Sequence, residues 1–244
     1  TPRAVTAGQT PDNITIAGSQ TLPEGAALAD GGYVVVWQDD SARDGDMGGI
    51  YGQRFNAQGN PVGGEFQANS FTSGNQREAA VIGLTGGGFV VSWISDGQDG
   101  SHGGIYAQRY DANGAALGGE FIVNTVTQGP QYNPAMTDMP DGGFIVTWEG
   151  TAGILAQRYD ANGAALGGET QLNTYTDNYQ SNPDIVALNG GGYVAVWQAY
   201  LQDGSNHGVY GQQFDSAGTP VGGEFRVNTN VGDHQRNPAV AALA

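Results

Sequence analysis

One segment occurs four times in this chain, and almost every other stretch can be placed relative to it. Residues 103–121 read GGIYAQRYDANGAALGGEF, and recognisable copies begin at Gly48, Gly103, Gly153 and Gly208. Each copy leads from a short apolar run through Gln-Arg-aromatic (Gln-Gln-Phe in the fourth) and a Gly turn to Gly-Gly-Glu. A repeat this faithful restricts the fold to architectures that use one supersecondary unit several times.

Upstream of each copy lies a run that ends in tryptophan: Tyr33 to Trp37, Phe89 to Trp93, Phe144 to Trp148 and Tyr193 to Trp197. These runs are almost continuously apolar, which suits a strand covered on both faces. The run that follows alternates, with Tyr106, Gln108 and Tyr110 on one side and Ile105, Ala107 and Arg109 on the other. Asp111-Ala-Asn113-Gly114 and its counterparts then signal a tight hairpin. A further strand follows Gly-Gly-Glu, and a polar link leads to the first strand of the next repeat at Ala79, Pro134, Pro183 and Pro238.

Four short strands joined by hairpins, in units of 49 to 56 residues between tryptophans, predict an all-β fold: a β-propeller of four-stranded blades in a single domain. The repeats run over about 19–73, 74–128, 129–177 and 178–232. A ring must close or leave strand edges exposed. The ends carry spare strand-like stretches, so the expectation is five blades, the last a reduced one built from both termini, with residues 239–243 inside and 14–16 outside. A four-bladed ring is the alternative.

Composition narrows the chemistry. The 42 glycines follow no three-residue period, which fits many turns rather than collagen. With 24 acidic residues against 8 basic ones, all of them arginine, the net charge of −16 disfavours nucleic acid and anionic membrane surfaces as partners and suits divalent cations. There is no cysteine, hence no disulfide, thiolate metal site or thiol nucleophile. No apolar run reaches the length of a membrane span. Residues 1–10 lack a signal peptide's basic and apolar regions, as expected of a mature chain or a piece of a longer one.

The pattern GG(F/Y)VVxW, a DGxDGS-like loop and GIY(A/G)QR(Y/F)DAxGxxxGGEFxVNT resembles repeats of large secreted bacterial exoproteins of the haemolysin-type calcium-binding, or RTX-type adhesin, kind. The resemblance is carried by residues 96–101 and 104–109 and extends over nearly the whole chain. It implies an extracellular or bacterial cell-surface location. The glycine-rich nonapeptides of RTX calcium rolls are absent, so that metal site does not transfer.

Candidate site residues fall into three sets. Asp39, Asp40, Asp44 and Asp46, then Asp96 and Asp99, then Asp203 lie in Gly-rich loops on one predicted rim, where oxygen donors suit Ca²⁺. The third loop shrinks to residues 149–153. Arg54 with Glu65, Arg109 with Glu120 and Arg158 with Glu169 are each 11 apart across a hairpin, a spacing expected to form structural ion pairs. Tyr132, Tyr175, Tyr179 and Tyr200 lie in polar links as ligand-stacking candidates, whereas the four tryptophans read as core. The three histidines are too scattered for a metal triad.

The function expected from these features is a non-catalytic extracellular binding or structural module that recognises a glycan or protein, with calcium as a supporting ion. A passive spacer is one alternative. A polysaccharide-degrading glycoside hydrolase of propeller fold is the other, with Glu78, Asp138 and Asp184 on or near inner strands as its carboxylates.

Overall fold

Each tryptophan-ending run is buried at the centre of its sheet, and successive sheets pack face to face. The computed structural model describes residues 18–243, which form four four-stranded antiparallel sheets and no helix. Blade one contains β1 (Gln20–Ala27), β2 (Tyr33–Asp39), β3 (Gly49–Phe55) and β4 (Pro61–Gln67). Blade two contains β5 (Gln76–Gly83), β6 (Phe89–Asp96), β7 (Gly103–Tyr110) and the short β8 (Phe121–Ile122). Blade three is built from β9 (Tyr132–Asp138), β10 (Phe144–Gly150), β11 (Gly153–Tyr159) and β12 (Ala165–Gln171). Blade four is built from β13 (Gln180–Ala187), β14 (Tyr193–Tyr200), β15 (His207–Phe214) and β16 (Pro220–Arg226). This is the predicted β-propeller, with strands ordered sequentially in every blade.

The core lies between blades rather than within them. Val34, Val36, Ile50 and Ala68 of blade one meet Phe89, Val91, Trp93 and Tyr110 of blade two. The opposite face of β6, through Val90 and Ile94, meets Met136, Phe144 and Trp148 of blade three. Burial of each such large side chain stabilises the fold by about 1.5–3 kcal/mol. Where β2, β6, β10 and β14 begin, an aromatic stacks on the last residue of the neighbouring strand, as in Phe89 on Tyr110 at 4.5 Å and 10°.

A side-chain latch closes every repeat. Asn124, 2% exposed, accepts from the Ile105 N–H (2.7 Å) and donates to the Val126 carbonyl and to Gln131, seven residues on. Asn69 with Gln76, Asn173 with Gln180 and Asn228 with Gln235 repeat the arrangement. In the first three repeats these Asn and Gln residues are buried polar groups whose hydrogen bonds are made locally; in the fourth they are half-buried.

Two expectations are corrected. The described residues form four blades, not the expected five: residues 239–243 enter no ladder, although Gln235 donates to the His207 carbonyl and Val240 to Asp184 as an inner strand's entry would. With no second strand beside this tail among the described residues, Leu243 is 91% exposed, whereas its counterpart Met139 is buried. The proposed outer strand at 14–16 lies outside the described residues.

The hairpin ion pairs are also absent. Gly-Gly-Glu forms a bulge: Gly52 pairs with Phe66 and Arg54 with Val62, so residues 63–65 oppose Gln53 alone. The Arg and Glu consequently point to different blades. Arg54 donates to the Ala112 and Asn113 carbonyls of blade two, Arg109 to Ala161 and Asn162 of blade three, and Arg158 to Ser216 of blade four. Glu120 reaches back to the Ser70 and Phe71 N–H groups, Glu169 to Thr125 and Glu224 to Thr174. Glu65 instead accepts from Arg43 at 2.8 Å. Glu65 apart, these residues fasten one blade to the next.

Candidate active site at the axial mouth

The inner strands β1, β5, β9 and β13 all carry a bulge at the same point. It places Leu22, Glu78, Asn133 and Asn182 in left-handed backbone, with φ of 50, 53, 52 and 50°, and Asn237 of the C-terminal tail follows suit at 52°. Non-glycine residues tolerate this conformation reluctantly, asparagine best among them. The five residues line one depression of about 270 Å³ at the end of the axis, together with Glu24.

Hydrogen bonds run around this mouth. Asn133 donates from its backbone to Glu78 Oε2 (3.3 Å) and from Nδ2 to both Glu149 Oε2 (3.0 Å) and Asn182 Oδ1 (3.1 Å). Asn182 in turn donates to Asn237 Oδ1 at 2.7 Å. Two carboxylates, Glu78 and Glu149, therefore share one asparagine. Burial, opposed by hydrogen bonds from Asn133 and Asn182 and reinforced by the charge of Glu78, raises the pKa of Glu149 above the ordinary carboxylate value. The Glu78 carboxylate is paired with Arg77 at 3.1 Å. Across the mouth, Glu24 is raised by desolvation first and by the charge of Asp184 second. A carboxyl whose pKa is raised beside an ion-paired carboxylate is an arrangement suited to acid–base chemistry.

Glu149 itself lines a second, larger cleft, of about 530 Å³, beside blade three. The cleft lies where this repeat is short: Trp93 and Ile105 are 12 residues apart, Trp148 and Ile154 only 6. In blade two the longer loop covers the equivalent space, Gln98 reaching Glu120 (2.6 Å) and Asp99 lying against Gly104. Blade three makes only the turn Thr151-Ala152 there. Tyr132 and Tyr179 line the cleft, Tyr179 being 76% exposed, whereas Tyr175 and Tyr200 lie outside it. Asp184 accepts from Ile185 and Val240 near the mouth, but Asp138 sits at the far end of β9, bonded to Thr85.

The rim aspartates are engaged singly. Asp39 is buried and holds Ser41 N–H and Arg43, Asp40 accepts from Gln38, and Asp46 accepts from Gly74. Asp44, Asp99 and Asp203 each accept from the backbone two residues on, and Asp96 pairs with Arg77. Among the described residues no three acidic or histidine groups converge as a metal site. The four tryptophans are buried and offer no exposed platform. His207 and His234 come together, Nδ1 to Nδ1 at 3.0 Å beside Arg236, which the sequence spacing does not reveal; burial, Arg236 and His234 lower the pKa of His207. Sequence reasoning also missed Glu149, whose one signal is its place in the shortened loop.

No protein-family model matches the sequence, and no curated protein does. Solved structures match the fold. An alpha-L-arabinanase of Penicillium chrysogenum complexed with arabinobiose aligns with a TM-score of 0.61 at 13% identity, over 85% of this chain and 66% of that enzyme. The GH93 alpha-L-arabinofuranosidase of Fusarium graminearum with arabinobiose gives 0.62 at 13% identity, over 88% and 69%. An alpha-L-arabinofuranosidase from Lactobacillus brevis gives 0.50 at 10% identity, over 81% and 74%. The expectation of a non-catalytic binding module is corrected by these neighbours, an arabinanase and two arabinofuranosidases, which agree with the glycoside hydrolase alternative.

Proposed function

We propose that the chain is a glycoside hydrolase of propeller fold, with Glu149 as proton donor to the leaving oxygen and Glu78 as the second carboxylate. The observation that carries this reading is the shared hold of Asn133 on both groups, with burial and the charge of Glu78 keeping Glu149 raised. Glycosidic hydrolysis needs two carboxyl groups of this kind, one kept protonated and one ionised. The fold likeness to enzymes crystallised with arabinobiose makes pentose-built polysaccharides the first substrates to try.

The test is release of reducing sugar from arabinan, arabinoxylan and xylan. Glu149→Gln is expected to lower turnover by at least about 100-fold without changing the melting temperature. Activity should fall as pH rises through the raised pKa of Glu149. Glu78→Gln removes a like charge and so lowers that pKa; the residual activity of this variant should show its alkaline limb at lower pH. The same linkage makes the protonated form of Glu149 stabilising at low pH, a contribution lost as pH rises through its folded-state pKa. No turnover on any of these polymers, or full activity in Glu149→Gln, would reject the assignment.

A further inference from the structure

The cleft beside blade three has a physical origin that the axial mouth lacks. Each of the other rim loops fills the space over its own β3, β7 or β15, so Asp44, Asp99 and Asp203 lie against Gly49, Gly104 and Gly208, where an added Cβ would come within 2.7–2.9 Å of the carboxylate. Blade three retains the matching Gly153 and Glu169 but has no loop to set against them. Around it stand an exposed aromatic, Tyr179, a partly buried one, Tyr132 at the start of β9, and the hydrogen-bonding side chains of Thr151, Thr176 and Asn178.

The chemistry of this lining selects a ligand class. Among the described residues its one charged lining residue is Glu149, and no arginine or histidine lines it. Arg77, 5.5 Å from the Tyr132 ring, is already paired with Glu78 and Asp96. An anionic sugar would meet no counter-charge here, and a chain of net charge −16 repels it at a distance. A neutral sugar offers what the cleft can take: apolar ring faces for the tyrosines and hydroxyls for the polar side chains.

We infer that this cleft is a binding subsite for a neutral oligosaccharide, whose chain runs from Glu149 outward over Tyr132 and Tyr179. The inference rests on the hydrolase reading in placing the reacting bond at Glu149, but not for the binding itself. The short third loop is then a specificity device, since it opens one side of the mouth to an extended chain.

Calorimetric titration of the full chain carrying Glu78→Gln, with arabinohexaose and xylohexaose as probes, tests this. At least one of these probes is expected to bind. Tyr179→Ala in the same background should weaken binding about tenfold, and Thr151→Trp, which places a large ring at the exposed lip, should abolish it. Both positions are exposed, and unchanged melting temperatures would verify the fold. A galacturonate hexamer should bind more weakly than the neutral probes. Absence of binding by both neutral hexamers, equal affinity in both cleft variants, or tighter binding of the galacturonate would overturn the inference. Tyr179-dependent binding without turnover by the unmodified chain would instead reject the hydrolase reading and leave the subsite standing.

Discussion

Blades two and three have nearly the same hairpin sequence, the same Asn latch and the same arginine and glutamate fastening, yet one has a filled rim and the other an open cleft. Six residues of loop account for the difference. The shared residues make seams, because successive blades must be gripped to one another. Whatever is particular to one blade is free of that duty and can serve a ligand. In this molecule the open cleft and the raised carboxyl of Glu149 coincide at the place where the copies differ most.

The contrast can be broken most forcefully through the shared part. Asn124→Leu leaves the Ile105 N–H and the Gln131 amide without their buried partner, and should cost about 3 kcal/mol. That corresponds to a fall of about 6–12 °C in melting temperature for a chain of this size. Asn173→Leu should cost the same in blade three; a marked inequality would mean that the latches are not equivalent. Arg109→Leu releases the Ala161 and Asn162 carbonyls at the seam between these blades and, being partly exposed, should cost about 1 kcal/mol by thermal denaturation. The smallest effect on stability, within about 1 kcal/mol, is expected from replacing residues 150–152 by residues 95–103 of blade two, because Gly153 and Glu169 are present to receive Asp99 and Gln98. That graft should nevertheless remove oligosaccharide binding. Retained affinity would show that the open rim is not what distinguishes blade three.

Much of the scaffold was legible in the sequence. Tryptophan-ending runs with apolar residues on both faces could only be central strands, and the Asn-Gly turns fixed the hairpins that follow. The destinations of Arg54, Arg109 and Arg158 were not legible, since an 11-residue spacing says nothing of a bulge that sets three residues against one. Blade number was equally hidden: each repeat specifies only its contacts with neighbours, not how many neighbours there are. Glu78 and Asp184 were recognisable as inner-strand acids. Glu149 was not, because its effect depends on Asn133 and Asn182, respectively 16 residues before it and 33 after it in the chain. The rim aspartates drew notice by composition alone, and the structure engages them with their own turns and nearby arginines.

The latch has a bearing on the order in which the molecule assembles. Asn124 and Gln131 are seven residues apart, and the strands of each blade are consecutive in the chain, so a blade can be sealed as soon as the first residue of the next inner strand becomes available. The seams then form between units already shaped, over separations of one repeat. Such a chain can acquire its structure progressively from the N-terminal side, one blade at a time, without waiting for its distant end.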